Sequence, residues 1–329
     1  MNDIPLVVHV LPYDGVGGVE VAARSVEDGA YLAFAFQKHY LFDSARPSLA
    51  AYAAAVRGLL VKRPAVVVAS LWRSYAVAIA LKLIRPSQRV VTFLHYPRSV
   101  HAVDWLLTRL ALACSDEIWA DSIATREERV PTSLRSRCKV VSMLTEHMPP
   151  PPTRQAAPRF IFWGRLHKQK GLDRALELFA EVRDAHPEAT FDIIGPDHGV
   201  QRQLMTQAAA IGGVTFHGPL PKDRIFDLAM SASFYLQPSR NEGAAMSVME
   251  AMQLGLVPVV TPVGDMKNYC NASNAVIAAS HMEALLGIAR LLVRPAEYRA
   301  AAESAYRTWR DRSLYREDVV ANCERLSHG

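Results

Sequence analysis

Residues 234–260 read FYLQPSRNEGAAMSVMEAMQLGLVPVV, and this stretch decides the fold. An apolar run, FYLQPS (234–239), has the length of a buried strand and ends at Ser239. Glu242 and Gly243 form a polar turn, a helix is expected from near Ala244, and a second apolar run, VPVVT (257–261), follows. Strand, helix and strand within 27 residues is the pattern of a parallel crossover unit. Glu242 and Glu250 are separated by seven residues, so both carboxylates can approach one side of the helix. A carboxylate near a helix start complements the macrodipole, which accounts for Glu242. Glu250 stands between apolar neighbours in VMEAM and is costly to bury unless something hydrogen-bonds it; ribose hydroxyls would serve.

The same rhythm extends in both directions. Upstream lie RFIFWG (159–164), TFDIIG (190–195) and VTFHG (214–218). Before them come LVVHVLP (6–12), AYLAFAFQ (30–37), AVVVASLW (65–72), VVTFLHY (90–96), EIWADS (117–122) and KVVSML (139–144). Helix-length Ala/Leu/Arg-rich segments separate these runs, and 295–329 reads as helix. Near-continuous apolar strands alternating with helices predict an α/β fold of two Rossmann-like, doubly wound parallel-sheet domains facing across a cleft. Four consecutive prolines at 149–152 mark the boundary. The expected division is 1–148, a linker at 149–153 where hinge closure would occur, and 154–329, with the terminal helix able to pack back on the first domain.

Composition narrows the classes. The 329 residues are 50% hydrophobic and 21% charged, enough apolar material for two cores, which excludes disorder as the main description. Four scattered cysteines, with no C-x-x-C pair, point away from a disulfide framework or a cysteine zinc cluster and fit a reducing compartment. No uninterrupted apolar run is long enough to span a bilayer, and Asp3 stands where a signal peptide would carry basic residues. The expected location is cytoplasmic, with peripheral attachment to the inner face of the membrane as the alternative. The net charge of +5 sits mostly in residues 1–148, which hold 17 basic and 13 acidic residues. That suits an anionic or membrane-associated substrate and is too diffuse for a nucleic-acid binder.

In doubly wound sheets, ligands bind beyond the carboxyl ends of strands. After the first strand, PYDGVGGVE supplies Gly15, Gly17 and Gly18, whose freedom at positive φ and close backbone approach would suit an anion at the following helix. After RFIFWG, Arg165, Lys168 and Lys170 crowd one loop with His167, and Gly171 precedes a helix from Leu172. Arg165 can fork onto phosphate while Lys170 acts as a point charge. His95 ends the strand VVTFLHY. His9, His167 and His217 are read as local hydrogen-bonding residues.

In their order along the chain, GGVE, CSDEIWADS, GRLHKQKG, FHGPL and PSRNEG…EAMQLGLVPVV resemble the retaining glycosyltransferases of GT-B architecture, the family 4 (group 1) enzymes. The resemblance implies roles residue by residue. Glu250 would hold the ribose of a nucleoside-diphosphate sugar. Glu242 would sit at the donor sugar, beside the amides of Gly243, Ala244 and Ala245. Arg165 and Lys170 would hold the diphosphate and neutralise the leaving group. Gly218 would lie on the donor site, Gly17 and Gly18 would approach the diphosphate and sugar, and His95 would face the sugar. The implied catalytic set is Glu242, His95, Arg165 and Lys170. The implied partners are that donor and a glycan or lipid-linked acceptor, as in polysaccharide or lipopolysaccharide biosynthesis.

Two loops depart from the family pattern. Gly195-Pro196-Asp197 replaces a Gly-x-Gly, and Val263-Gly264-Asp265-Met266-Lys267 replaces a Gly-Gly-x-x-Glu, leaving donor identity open. No D-x-D or His/Cys ligand spacing occurs, so neither a cofactor nor an essential metal is expected. Residues 98–112, RSVHAVDWLLTRLAL, align Val103, Leu106, Leu107 and Leu110 between Arg98 and Arg109. That stripe is either the core face of a helix or a face resting on a membrane. The rival functions are a non-catalytic nucleotide-sugar-binding partner on the same scaffold, and a glycan phosphorylase or sugar-nucleotide epimerase.

Overall fold

The computed structural model describes residues 4–15, 17–42 and 48–328. Asp3 and Val16, the latter inside the first glycine loop, lie outside the described residues. The chain divides into two units, Met1–Thr145 with Ser313–Gly329, and Glu146–Arg312.

The first unit carries strands β1 (Leu6–Leu11), β2 (Gly29–Ala30), β3 (Ala35–Tyr40), β4 (Val66–Ser70), β5 (Arg89–Leu94), β6 (Glu117–Ala120) and β7 (Cys138–Val140). Its helices are α1 (Gly18–Arg24), α2 (Leu49–Lys62), α3 (Leu71–Ile84), α4 (Ala102–Cys114), α5 (Ile123–Arg129) and the C-terminal helix Tyr315–His328. The sheet order is β2-β3-β1-β4-β5-β6-β7. All pairings are parallel except β2 with β3. The run expected as one strand at 30–37 is therefore two pieces, because the Tyr31 amide turns back onto Phe34 O at 2.7 Å. The central strand β4, VVVAS, is buried at every position, as the unbroken Val run requires when helices cover both faces.

The second unit carries β8 (Arg159–Trp163), β9 (Thr190–Ile194), β10 (Val214–Gly218), β11 (Phe234–Gln237), β12 (Val257–Val260) and β13 (Val276–Ile277). Between and after them run α6 (Leu172–Ala185), α7 (Gln201–Ile211), α8 (Lys222–Ser231), α9 (Met246–Gln253), α10 (Met266–Tyr269), α11 (His281–Val293) and α12 (Pro295–Arg310). The Tyr315–His328 helix follows as α13. The strand order is β10-β9-β8-β11-β12-β13, all parallel. The connection reverses direction between β8 and β11, which makes the carboxyl ends of those two strands the switch point. Both units are thus doubly wound α/β domains of the GT-B kind, the first with one short antiparallel edge.

Two boundaries differ from the sequence expectation. The division falls at Thr145/Glu146, and the proline run at 149–152 belongs to the second unit. Proline lacks an N–H, so the run packs without needing a ladder partner, with Pro151 against Gly255. Just beyond it the Arg154 guanidinium is buried, donating to the carbonyls of Ala229, Ala232 and Leu254. The helical tail breaks after α12, and α13 groups with the first unit. There Tyr315 N donates to Leu144 O (2.6 Å), Ser142 N to Asp318 Oδ2 (2.7 Å), and Arg325 to the Glu117 carboxylate (2.6 Å).

Helix α4 settles the 98–112 stripe. Its inner face is Asp104, Thr108, Ala111 and Leu112, with Leu107 partly buried against the core. Asp104 pairs with Arg129 and accepts from Thr108 Oγ1 (3.0 Å) and Val100 N (2.8 Å). Val103, Leu106 and Leu110 are exposed, together with Val100 and Trp105. The core-face reading is corrected for Val103, Leu106 and Leu110, which stay outside, while Asp104 and Thr108 are buried beside Ala111 and Leu112 and only Leu107 of the stripe packs inward.

Candidate active site

The switch point of the second sheet collects the predicted groups. Strand β8 ends in Trp163-Gly164, and the loop 165–171 turns back beside the end of β11. Gly171 permits this, with φ +71 and its α-carbon so close to Pro238 O that a β-carbon would not fit. The loop is pinned by Arg240 N donating to Gln169 O (2.8 Å) and Gln169 Nε2 donating to Asn241 O (2.8 Å). A bidentate pair between Arg240 and Asp173 at 2.7 and 2.6 Å fixes the base of α6 against it.

Lys170 Nζ, so held, donates to Glu242 Oε1 at 2.9 Å, and both side chains are largely buried. Two further donors reach the same oxygen, Ser239 Oγ at 2.7 Å and Gln237 Nε2 at 3.2 Å. Three donors on one buried carboxylate oxygen offset the cost of taking that oxygen out of water. Arg165 is exposed and makes no ion pair or side-chain hydrogen bond among the described residues, leaving its fork available.

After Glu242 the backbone opens into α9, which starts at Met246, two residues later than the sequence suggested. Ala245 is the N-cap in the left-handed region, φ 56, and an alanine has no side chain to cap with. The amides of Gly243, Ala244, Ala245, Met246 and Ser247 consequently have no acceptor among the described residues. The loop is backed by Gly264 (φ +57), where a β-carbon would overlap Glu242 O, and by Asp265 N donating to Gly243 O (2.9 Å). Five unpaired amides at a helix start beside a lysine are donors of the kind that suit an anion.

Glu250 lies one helical turn further on. Trp163 Nε1 donates to its Oε2 at 2.9 Å, and Lys222 Nζ stands 3.6 Å from Oε1 while also pairing with Glu146. Burial pushes the Glu250 carboxyl above its ordinary range, opposed by the nearby Lys222 charge and the Trp163 hydrogen bond. Its side chain keeps 19% exposure, so a ligand can reach it. Gly218 ends β10 at φ 66, with open space where a side chain would be. In the departing loop, Asp197 Oδ1 accepts from the amides of Gly199, Val200 and Gln201 at 2.8–3.0 Å. That side chain starts α7, and those hydrogen bonds hold its carboxyl below the usual range.

Sequence reasoning missed Trp163, Gln237, Ser239 and Lys222. Each sits at a strand end or just beyond one, which was the available signal. In the first unit, Gly15, Gly17 and Gly18 are not at positive φ, which corrects that part of the expectation. A β-carbon at Gly17 would collide with the Glu20 carboxylate, and the Arg24 guanidinium donates to Gly15 O at 2.7 Å, so charges of both signs flank this loop. His95 is buried just past β5, 2.9 Å from Ser70 Oγ, and burial holds its imidazole neutral. His9 and His217 make local hydrogen bonds, to Ser70 (2.7 Å) and Asp192 (2.6 Å).

Residues 145–308 match the family model described as glycosyl transferases group 1. The match takes in nearly all of the second unit, Glu146–Arg312, and that unit belongs to the family. The group 1 unit contains every element of the site built above on β8, β10, β11 and α9. Among curated relatives, 2-deoxystreptamine glucosyltransferase of Streptomyces kanamyceticus is 34% identical over 33% of this chain and 29% of its own. Sulfoquinovosyl transferase SQD2 of Arabidopsis thaliana is 28% identical over 55% of this chain and 34% of its own. The matches therefore span only about a third of the length of these relatives. Two solved structures cover both chains almost entirely. Anabaena Alr3699/HepE, in complex with UDP, has a TM-score of 0.77 at 15% identity, covering 98% of this chain and 99% of that one. Lipopolysaccharide outer core galactosyltransferase WaaB has a TM-score of 0.75 at 15% identity with the same coverage. At that identity the likeness is one of fold.

Proposed function

We propose that this chain is a retaining glycosyltransferase, moving a sugar from a nucleoside-diphosphate sugar to a hydroxyl on a cell-surface glycan or lipid-linked acceptor. The observation that carries the reading is the Lys170–Glu242 pair set against five amides without acceptors. A diphosphate placed there meets fixed positive ends, and an ammonium has two N–H donors left after Glu242 takes one. Arg165 adds a free fork. As the sugar–phosphate bond breaks, charge develops on the leaving diphosphate, and prepositioned donors stabilise it without reorganising. Glu242 holds the sugar hydroxyls and Glu250 the ribose hydroxyls, with Trp163 fixing the Glu250 carboxylate. Gly218 lets the chain pass close to the nucleotide. In the first unit the reading assigns His95 to a sugar hydroxyl, and Gly17 and Gly18 to close approach of the ligand.

The acceptor hydroxyl attacks the anomeric carbon from the face the diphosphate leaves, and the departing phosphate oxygen takes its proton. No protein nucleophile is required, and the cations and amides perform the charge work that a metal would otherwise do. The UDP bound to the HepE fold neighbour and the sugar-transfer names of the relatives support a nucleotide-sugar donor. The exposed apolar face of α4 supports an acceptor at a membrane surface.

The test is to incubate the protein with labelled UDP-, GDP-, ADP- and dTDP-sugars and extracted lipid or glycan acceptors, in EDTA. The reading expects nucleoside diphosphate release matched by labelled product, with the donor's anomeric configuration kept. Donor binding without any release would instead establish a non-catalytic nucleotide-sugar-binding protein. Formation of a sugar 1-phosphate from the glycan on addition of inorganic phosphate, with no nucleotide sugar consumed, would establish a phosphorylase.

A further inference from the structure

We propose that Ser70 is a positioning residue, whose single hydroxyl, shared by His9 and His95, orients the His95 ring and locks the two imidazoles in opposite tautomers. The inference deepens the assignment of His95 to a sugar hydroxyl and rests on it. His9 lies in β1, Ser70 ends β4 and His95 follows β5, so the three stand on adjacent strands at the end where an α/β sheet binds ligands. All three are buried, with exposures of 1%, 0% and 7%.

Ser70 occupies the N-cap of α3, where a serine ordinarily turns its oxygen to the helix amides. Here it makes no such bond. Its Oγ instead lies 2.7 Å from His9 Nε2 and 2.9 Å from His95 Nε2. The strand runs into α3 with no connecting loop, forcing Leu71 to φ 67, a conformation that a branched side chain rarely adopts. Strain and a forgone cap at consecutive residues are both explained if the position is held for the histidines.

Proton counting gives the rest. Both imidazoles are neutral, pushed down by burial, so each carries one N–H. A serine hydroxyl has one proton to give, and among the described residues Oγ has no partners besides these two rings, so a proton given to neither would be left buried and unpaired. It therefore donates to one Nε2 and accepts from the other. One ring is protonated at Nε2 and the other at Nδ1. His95 Nδ1, buried and without a partner among the described residues, is then the ring's one uncommitted nitrogen, with its protonation fixed by the relay. Phe93, whose ring centroid lies 4.0 Å from that of His95, blocks rotation out of the arrangement.

The experiment is nitrogen-15 NMR of histidine-labelled full-length protein, with His9→Gln and His95→Gln variants assigning the two rings among eleven histidines. The expected result is two neutral rings in opposite tautomers between pH 6 and 8, and loss of the fixed tautomer at His95 in Ser70→Ala. Ser70→Thr keeps the hydroxyl and is expected to restore it. In transfer assays Ser70→Ala should lower kcat/KM on the order of tenfold, as for one net hydrogen bond, with Ser70→Thr recovering most of it. Two rings both protonated at Nε2, or averaging between tautomers in the wild type, would overturn the proposal. An unchanged rate in His95→Ala would instead refute the assignment of His95 to the sugar, leaving the tautomer result to be judged separately.

Discussion

Glu242 and Lys170 illustrate how a charged pair can be both structural and poised. Replacing Lys170 by Met leaves a carboxylate at 6% exposure with only neutral donors, Ser239 and Gln237. Unfolding in urea should show a loss of about 3 kcal/mol, most of it recovered when Glu242→Gln is added, because the penalty belongs to the uncompensated charge. Two independent, additive losses would contradict this. At Glu250 the Trp163 indole is the fixed donor, so Trp163→Phe should weaken nucleoside diphosphate binding on the order of tenfold by calorimetry, with the fold retained. Undiminished affinity would remove Trp163 from the site. The carboxylates and the basic loop were legible in the sequence, because their chemistry is unusual for their positions. Trp163 and Lys170 find their partners 87 and 72 residues away, and only the folded sheet, with β8 beside β11, brings those together.

Among the elements, the loop 165–171 and helix α4 carry the clearest consequences. Gly171→Ala puts a β-carbon into Pro238 O at a left-handed position, so the loop must shift and Lys170 must leave Glu242. The expected outcome is a folded second unit with nucleotide affinity lowered at least tenfold, measured by calorimetry; unchanged affinity would show that the loop does not set the site. Helix α4 exposes Val103, Trp105, Leu106 and Leu110, with Val100 exposed just before it and the Arg109 guanidinium over the Trp105 ring at 5.7 Å. Vesicles of anionic phospholipid should sediment the wild type and release Leu106→Glu with Leu110→Glu, whereas equal sedimentation of both would leave this face without a membrane role. Periodicity placed the β4 and β5 strands well because Val runs buried on both faces have few alternatives. It misplaced the seam of α4, since a buried Asp104 is tolerable only with Arg129, which lies 25 residues on. It also merged β2 with β3, because a turn inside an apolar run leaves no polar mark.

For the molecule as a whole, acid should be destabilising through the first unit. His9 is pushed down to about 3 by burial and His95 lies well below 6.5, whereas both titrate near 6.5 when unfolded. Below pH 6.5 the unfolded chain binds protons that the native state refuses, so stability is full above that pH and falls as pH drops. The slope reaches about 1.4 kcal/mol per pH unit for each histidine. Glu250 works the other way in the second unit: its raised carboxyl favours folding at low pH and loses that contribution as pH rises. Urea titrations from pH 7 to 5 should show the fall, halved in His9→Gln; a flat profile would contradict the neutral pair.

The central claim is that the second unit binds a nucleoside diphosphate through Glu250 and the Lys170–Glu242 cradle. Calorimetric titration of UDP, GDP, ADP and dTDP into wild type and Glu250→Ala, each with magnesium and with EDTA, addresses it directly. The account predicts saturable binding of at least one nucleotide, insensitive to EDTA and abolished in Glu250→Ala. Binding that survives the loss of Glu250, or that appears only with magnesium, would contradict it.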